Sequence, residues 1–480
     1  MNNKLHNFND IRFIHEKIFW FMNKNPEDLI LYAQSNEKDF FSDIRNQKGD
    51  IFICGYEAKQ KFHEMANRYL KSHPERNKTN LAAFTLKIEE EFLRRFIEKA
   101  EEITDRNIDK MFATAHKSIS REFEQLIHYI PCRIFFSTKI TSFEIGSIKF
   151  LHKNKFNSDY GDEINRLRTE IKEEPRIFCT STISNDFPAE RTATDEQSHQ
   201  LANILVDGLL TSFEYYDWIA IVNIHKCNEK VSYGKAIYAT RTALNILRLL
   251  FGSYYTDEIR IGIDCGVFLE SAKLTRKENG KLDINLSGAS NGNVIGDEWL
   301  EHLKSDVLGD CFNSASKVLN LSLDFDHSYP LCTRFIDALS WYGDAVSERV
   351  YATKIVKYVT SIERLVGTGK ETNKEVTQIV TQRASMLYSI GTVENESYST
   401  IKTKISELYD CRSKLVHGSL SPFDESCISY SYKAEEISRM VLLVGLSYFS
   451  SWGIDDVSFN NKKLKNKYND LEILLGPRVQ

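Results

Sequence analysis

Tyr409-Asp410-Cys411-Arg412-Ser413-Lys414-Leu415-Val416-His417-Gly418 is the stretch on which the reading turns, because it sets one arginine and one histidine five residues apart where a helical pattern ends. On a continuous α-helix that spacing puts the two side chains about 140° apart around the axis, so they do not share a face. Gly418 directly after the histidine predicts a helix C-terminus, since glycine enters the left-handed conformation without a Cβ penalty. Arg412 then sits on the body of the helix and His417 in its last turn. Something outside that helix, such as a second copy of the chain, has to complete any shared site.

Outward from the decapeptide the C-terminal part reads as helical. Phe335, Leu339, Tyr342, Val346, Val350, Ile355, Val359, Ile362 and Leu365 keep a helical stripe up to Gly367, which predicts one long helix. A second is predicted over 374–390, a third over 399–417, and a fourth over 425–452 after the breaker Ser421-Pro422-Phe423-Asp424. Four helices joined by short loops predict an antiparallel bundle. The lysines of 461–467 predict a solvated basic tail.

The preceding residues alternate between periods. From Asp10 to about His128 the pattern is helical, most clearly over 81–129, where Phe84, Ile88, Phe92, Phe96 and Ile97 form an amphipathic stripe. Arg94 and Arg95 read as its solvated flank. Pro131 predicts the end of that pattern, and the runs 133–140 and 142–150, rich in β-branched and aromatic residues, predict two or three strands. A helix is predicted over 162–173, a loop over 181–194, and helices over 195–213 and 233–251. Residues 218–224 are a buried strand or a buried helix segment, and the apolar run alone does not separate the two. Asn279-Gly280 predicts a hairpin turn. The fold class expected is mostly α, with an α+β N-terminal region and a C-terminal antiparallel bundle. The divisions expected are 1–175, helical and ending in a β-hairpin; 176–325, an α+β sensor or regulatory region; 326–455, the bundle; and 456–480, the basic tail.

Composition narrows the function classes. With 480 residues the chain exceeds what one core serves, and 22 glycines with 8 prolines are too few for a sandwich of many tight turns. A net charge of −5, with both signs interspersed, argues against coating nucleic acid by bulk electrostatics and leaves room for a short local contact. Nine cysteines, odd in number and never spaced C-x-x-C, predict reduced thiols and a cytoplasmic setting. No signal peptide or membrane span is predicted, because the longest apolar run, 440–449, is about half of what a bilayer needs.

Several catalytic signatures fail on their spacing. Gly367-Thr368-Gly369-Lys370 lacks the upstream glycine and the following Ser or Thr of a phosphate-binding loop, and reads as a helix-ending loop. His63-Glu64-Met65-Ala66-Asn67 has asparagine where a zinc protease needs its second histidine. Asp324, Asp326 and His327 cluster three metal-capable groups in a polar stretch, where solvation is the ordinary outcome. No cofactor and no metal are predicted.

The arginine and histidine that remain carry a resemblance. Arg412-Ser413-Lys414-Leu415-Val416-His417, next to a helical bundle, resembles the R-x(4 to 6)-H motif of HEPN-superfamily ribonucleases. The flanking Tyr409, Asp410 and Gly418, with Ser361-Ile362-Glu363-Arg364-Leu365 on the first long helix, are similar to the Apea-like branch found in bacterial abortive-infection and phage-defence proteins. The resemblance spans about 335–452. It implies a HEPN-like bundle, a homodimer through that bundle with facing motifs, and an RNA substrate. It also implies a toxin or anti-phage role; the N-terminal region, which shares in no resemblance, is expected to sense a phage or cellular trigger or to restrain activity. Arg412 and His417 would be catalytic, with Ser413 positioning phosphate or arginine and Glu363 holding the arginine. The chemistry agrees with the motif: an imidazole suits proton transfer near neutral pH, and a guanidinium fork suits phosphate oxygens. A single protomer supplies one of each, whereas simultaneous acid and base work needs two. The same residues also allow a structural role, in which His417 caps the third helix and Arg412 pairs with Glu363 or another acid inside the bundle, as in a catalytically inactive dimerisation or RNA-binding module.

Overall fold

The helices of the first part form where polar caps precede apolar residues at three-to-four-residue spacing. The computed structural model describes residues 2–40, 42–137, 139–173, 200, 203–204, 207, 216–262, 270–276, 282–288, 295–306, 308–368, 373–392 and 396–476. Contacts divide the chain into two units, Met1–Leu126 with Ile224–Ala236, and Ile127–Asn223 with Ile237–Gln480.

The first unit is built on α1 (Asn2–Met22), α2 (Tyr56–Lys71), α3 (Leu81–Phe92) and α4 (Asp105–Arg121). Asn80 caps α3 by accepting the Ala83 N–H at 3.0 Å, and Thr104 caps α4 by accepting that of Asn107 at 3.3 Å. Ile11, Ile14 and Ile18 of α1 meet Phe62 and Met65 of α2, Phe84, Ile88 and Phe92 of α3, and Ile108, Met111 and Phe112 of α4 in one core. A short hairpin of β1 (Asp43–Arg45) and β2 (Ile51–Ile53) accompanies them. Helical periodicity does not run unbroken from 81 to 129. It passes through a π turn at Leu93–Glu98, resumes in α4, and gives way to a strand at Glu124. Arg94 and Arg95, predicted as a solvated flank, both pair with Glu91, at 2.6 and 3.2 Å, and the Arg95 side chain is only 11% exposed.

The second unit carries a five-stranded sheet in the order β4-β5-β6-β3-β7, from β3 (Glu124–Arg133), β4 (Ser142–Ile145), β5 (Ile148–His152), β6 (Trp218–Cys227) and β7 (Arg260–Ile261). β4 and β5 form the predicted hairpin, turning at Gly146, whose φ is +55°. The run 218–224 resolves as strand. Pro131, the predicted end of a helical pattern, lies inside β3, where Leu126 to Ile130 are β-branched or aromatic at alternate positions and pairing overrides helical period. Helix α5 (Lys153–Glu173) extends the predicted 162–173 in the N-terminal direction, and α6 (Glu229–Phe251) matches 233–251. Strands β8 (Glu270–Arg276) and β9 (Leu282–Gly288) pair antiparallel, as Asn279-Gly280 predicts, although the turn itself lies outside the described residues, as do the loop 181–194 and most of 195–213. The pairing of Lys149 with Ile221 and Phe150 with Ala220 across β5 and β6 corrects the expected division at 175, because one sheet holds residues from both sides of it.

The bundle follows. It comprises α7 (Gly309–Ser322), α8 (Pro330–Ser347), α9 (Tyr351–Val366), α10 (Asn373–Gly391), α11 (Tyr398–Val416) and α12 (Ser426–Gly453). The last three agree closely with prediction. The first long helix does not exist as one rod: α8 and α9 are an antiparallel pair, held by Ser361 Oγ donating to the Ala338 carbonyl at 2.6 Å and by Tyr342 against Tyr358 at 5.5 Å. Glu348 makes the break. Its Oε1 accepts the N–H groups of Arg349 and Val350 at 2.8 and 3.1 Å, which would otherwise be unsatisfied at the start of α9, and its Oε2 meets Lys357 at 2.9 Å.

Burial pushes the Glu348 carboxyl up, but the Lys357 and backbone donors outweigh it and hold it below the ordinary value. A depressed carboxyl contributes stability above its unfolded value, about 4.3, and loses it as pH falls through the folded value. Glu348→Ala is therefore expected to cost about 1 kcal/mol at pH 7, and the difference from wild type should shrink in melts as pH falls below the ordinary carboxylate range.

The predicted basic tail is instead helix α13 (Asn461–Leu475), with Leu464, Tyr468 and Leu471 buried. It lies on α10, where Arg383 stacks over Tyr468 at 4.9 Å and Gln382 donates to Glu472 at 2.6 Å. The lysines occupy its outer side, so an amphipathic stripe underlies the basic composition. Among the described residues no helix is long and apolar enough to cross a membrane.

Candidate active site

Helix α11 begins at a Ser397 cap and buries Ile401, Ile405, Leu408 and Cys411, a stripe that fixes which side faces the bundle. Arg412 follows Cys411 and so stands at the edge of that stripe. Tyr409, three residues earlier, is its neighbour on the helix surface, with the guanidinium carbon 5.9 Å from the ring centre. Across from them Glu363 projects from the last turn of α9, and its Oε2 lies 3.6 Å from Arg412 Nη2. The Tyr409 hydroxyl is pushed up to about 12, first by burial and then by its hydrogen bond to Glu363, so it remains a donor to that carboxylate. The Arg412 side chain is 26% exposed, and its Nε is buried without a hydrogen-bond partner.

The end of α11 forms as Gly418 predicts. Gly418 has φ of +75°, the Ser419 N–H donates to the Lys414 carbonyl at 2.8 Å, and the His417 N–H donates to the Ser413 carbonyl at 3.0 Å. Backbone bonds alone close the helix. The His417 ring is exposed, with no hydrogen bond or ion pair among the described residues. Ser413 is half-buried beside Arg412.

Within one chain the fold thus brings Arg412, Glu363 and Tyr409 together and leaves His417 facing outward at the helix end. Tyr409, which sequence reasoning gave no role, is legible in retrospect from its three-residue spacing to Arg412. Cys411 is buried and its thiol is pushed up to about 11, chiefly by that burial, which fits a packing residue rather than a nucleophile.

Asp324, Asp326 and His327 have another use. Burial raises the Asp324 carboxyl, but donors from Tyr329, Asp326 and His327 together hold it at about 2. Asp324 Oδ2 accepts from the Tyr329 hydroxyl at 2.7 Å and meets His327 Nδ1 at 2.9 Å, which spends its acceptors on the turn before α8. Among the described residues, ligand-capable atoms lie within 4.8 Å of one another at His73, Glu75 and His116 of the first unit, which come from no recognisable spacing.

A cavity of about 1040 Å³ in the second unit is lined by Tyr254, Tyr255, Tyr351, Lys354, Tyr432 and others, and includes none of Arg412, Ser413, His417 or Glu363. No family model, curated protein or solved structure matches the chain.

Proposed function

We propose that this chain is a metal-independent endoribonuclease whose cleft forms when two HEPN-like bundles pair, as in a bacterial toxin or anti-phage effector, with the N-terminal region restraining it. The observation that carries this reading is an imidazole with no partner among the described residues, at the end of α11 and five residues beyond a guanidinium whose Nε is unfilled and whose Nη2 lies 3.6 Å from Glu363. Facing copies would supply two imidazoles and two guanidiniums. One imidazole takes the proton of the 2′-hydroxyl as its oxygen bonds to the adjacent phosphorus. The P–O5′ bond breaks, and the second imidazole protonates the leaving 5′-oxygen. The guanidinium forks meet the charge of the five-coordinate phosphate. Products are a 2′,3′-cyclic phosphate and a 5′-hydroxyl.

Exposed apolar side chains at the end of α11, in the turn after it and on α12 would supply a surface for the second copy. Val416 is 51% exposed, Phe423 92%, Ile428 44% and Tyr432 65%, the last two one turn apart on α12. Ile428→Asp is expected to convert the dimer to a monomer by light scattering and to remove cleavage with it. Wild-type protein incubated with tRNA in EDTA tests the chemistry: the expected products end in a cyclic phosphate, and absence of cleavage counts against the reading.

The second reading is a non-catalytic RNA-binding or dimerisation module. The Arg412 pairing with Glu363 and the tyrosine-lined cavity favour it. It expects retained RNA binding, no cleavage, and loss of binding on substituting Tyr254 and Tyr432 rather than His417.

A further inference from the structure

We propose that His73, Glu75 and His116 of the first unit form a binding site for a zinc-class divalent cation, tying the turn after α2 to α4. The three side chains offer ligand atoms that all lie within 4.8 Å of one another. His116 is buried to all but 8% of its surface, yet its Nε2 has no hydrogen-bond partner. A buried polar atom left unfilled is costly and uncommon, so its presence beside a carboxylate asks for an occupant.

The distances favour an ion over a direct bond. His116 Nε2 lies 3.5 Å from Glu75 Oε2, too far for a strong charge-assisted hydrogen bond. Two ligands each about 2.0–2.1 Å from a tetrahedral zinc stand roughly 3.4 Å from one another. Two imidazoles and a carboxylate are a donor set suited to zinc, with a fourth position left for water. The Glu75 side chain, 40% exposed, opens that position to solvent.

The surroundings prepare His116 for the role. Ser120 Oγ donates to Glu75 Oε2 at 3.0 Å, so its contact with His116 Nδ1 at 3.3 Å is one in which the ring donates. That assigns the proton to Nδ1 and the free lone pair to Nε2, the arrangement that outer partners impose on metal-bound histidine. Burial, and then the neighbouring His73, hold His116 below its ordinary value against the pull of Glu75. Tyr69 stacks on His73 at 5.4 Å and fixes that ring, and the two histidine rings are 3.8 Å apart.

Binding has a structural consequence. His73 Nδ1 accepts the Glu75 N–H at 3.2 Å, capping the 3-10 turn Pro74–Asn77. If Nδ1 takes the ion, its lone pair leaves the cap. If Nε2 does, Nδ1 takes the displaced proton and again ceases to accept. Either way the ion exchanges a backbone cap for a bond to α4.

The test uses the full-length chain stripped by a chelator and titrated with zinc against a chelating dye, with no RNA present, so that it stands apart from the nuclease reading. One zinc per chain is expected, with a rise in melting temperature on loading. Cobalt in place of zinc should give visible absorption bands of a low-coordinate site. Glu75→Gln, at a half-buried position and with an acceptor kept for Ser120, should bind at least tenfold more weakly while folding normally by circular dichroism, and His116→Gln should bind more weakly still. Failure of the wild type to take up zinc, or equal uptake by Glu75→Gln and His116→Gln, overturns the proposal.

Discussion

Replacing His417 with alanine is expected to lower RNA cleavage by roughly 10²- to 10⁴-fold, the usual worth of a positioned acid or base, without moving the melting temperature. The separation of the two readouts follows from how α11 ends. Its closing bonds run from the Ser419 and His417 N–H groups to backbone carbonyls, and Gly418 supplies the left-handed residue, so the imidazole contributes nothing to the cap. Arg412 is different. Removing it leaves Glu363, 20% exposed, without its cation, so Arg412→Ala should lose both activity and some stability. Arg412→Lys keeps the charge, loses the fork, and should recover stability more than rate. Mixing wild-type and His417→Ala chains separates a shared site from two independent ones. With random pairing and both imidazoles required, about one quarter of dimers remain active rather than one half. A His417→Ala protein that cleaves RNA at the wild-type rate ends the nuclease reading.

How far this was legible depends on whether the deciding contact is local. Helices α10, α11 and α12 follow from apolar spacing and caps carried by their own residues, and Gly418 sets the end of α11 within one residue. The break between α8 and α9 hides because the apolar stripe keeps its period across Ser347 to Val350, while the deciding act is Glu348 turning back on two N–H groups. Helix α13 hides under its lysines, although Leu464, Tyr468 and Leu471 already recur at helical spacing. Strand β3 and the division of the chain are non-local: only the partner strands tell Leu126 to Ile130 to extend, and only the pairing of β5 with β6 shows that 175 is no boundary. The same distinction runs through the sites. Arg412 and His417 sit within six residues and can be read as a motif, and Glu363 is found from the long helical stripe that carries it. His73 and His116 are joined only when α4 folds back past the end of α2, and no spacing announces that.

Gly343→Ala is expected to destabilise the second unit by about 2–3 kcal/mol, against what helix propensity says. Propensity alone favours alanine over glycine in a helix interior by about 1 kcal/mol. The close approach decides the sign. A Cβ on Gly343 of α8 would stand 2.0 Å from Oδ1 and 2.2 Å from Cγ of Asn245 on α6, a side chain that is itself 4% exposed. Asn245 cannot swing away freely, because its Oδ1 accepts from Arg248 Nη1 at 2.5 Å, while Arg248 Nη2 reaches the Ile259 carbonyl at 2.5 Å. Moving it weakens the hydrogen bonding of a buried guanidinium, and that loss adds to the steric one. Denaturant unfolding of the full chain reads the effect in the transition assigned to the second unit. Asn245→Ala supplies the control. On its own it also destabilises, by taking an acceptor from Arg248, but it clears the space that a Cβ at 343 needs. The double variant should therefore lose less than the sum of the two single losses, by 1 kcal/mol or more. Strict additivity, or a Gly343→Ala protein as stable as wild type, would show that α6 and α8 do not meet through this glycine.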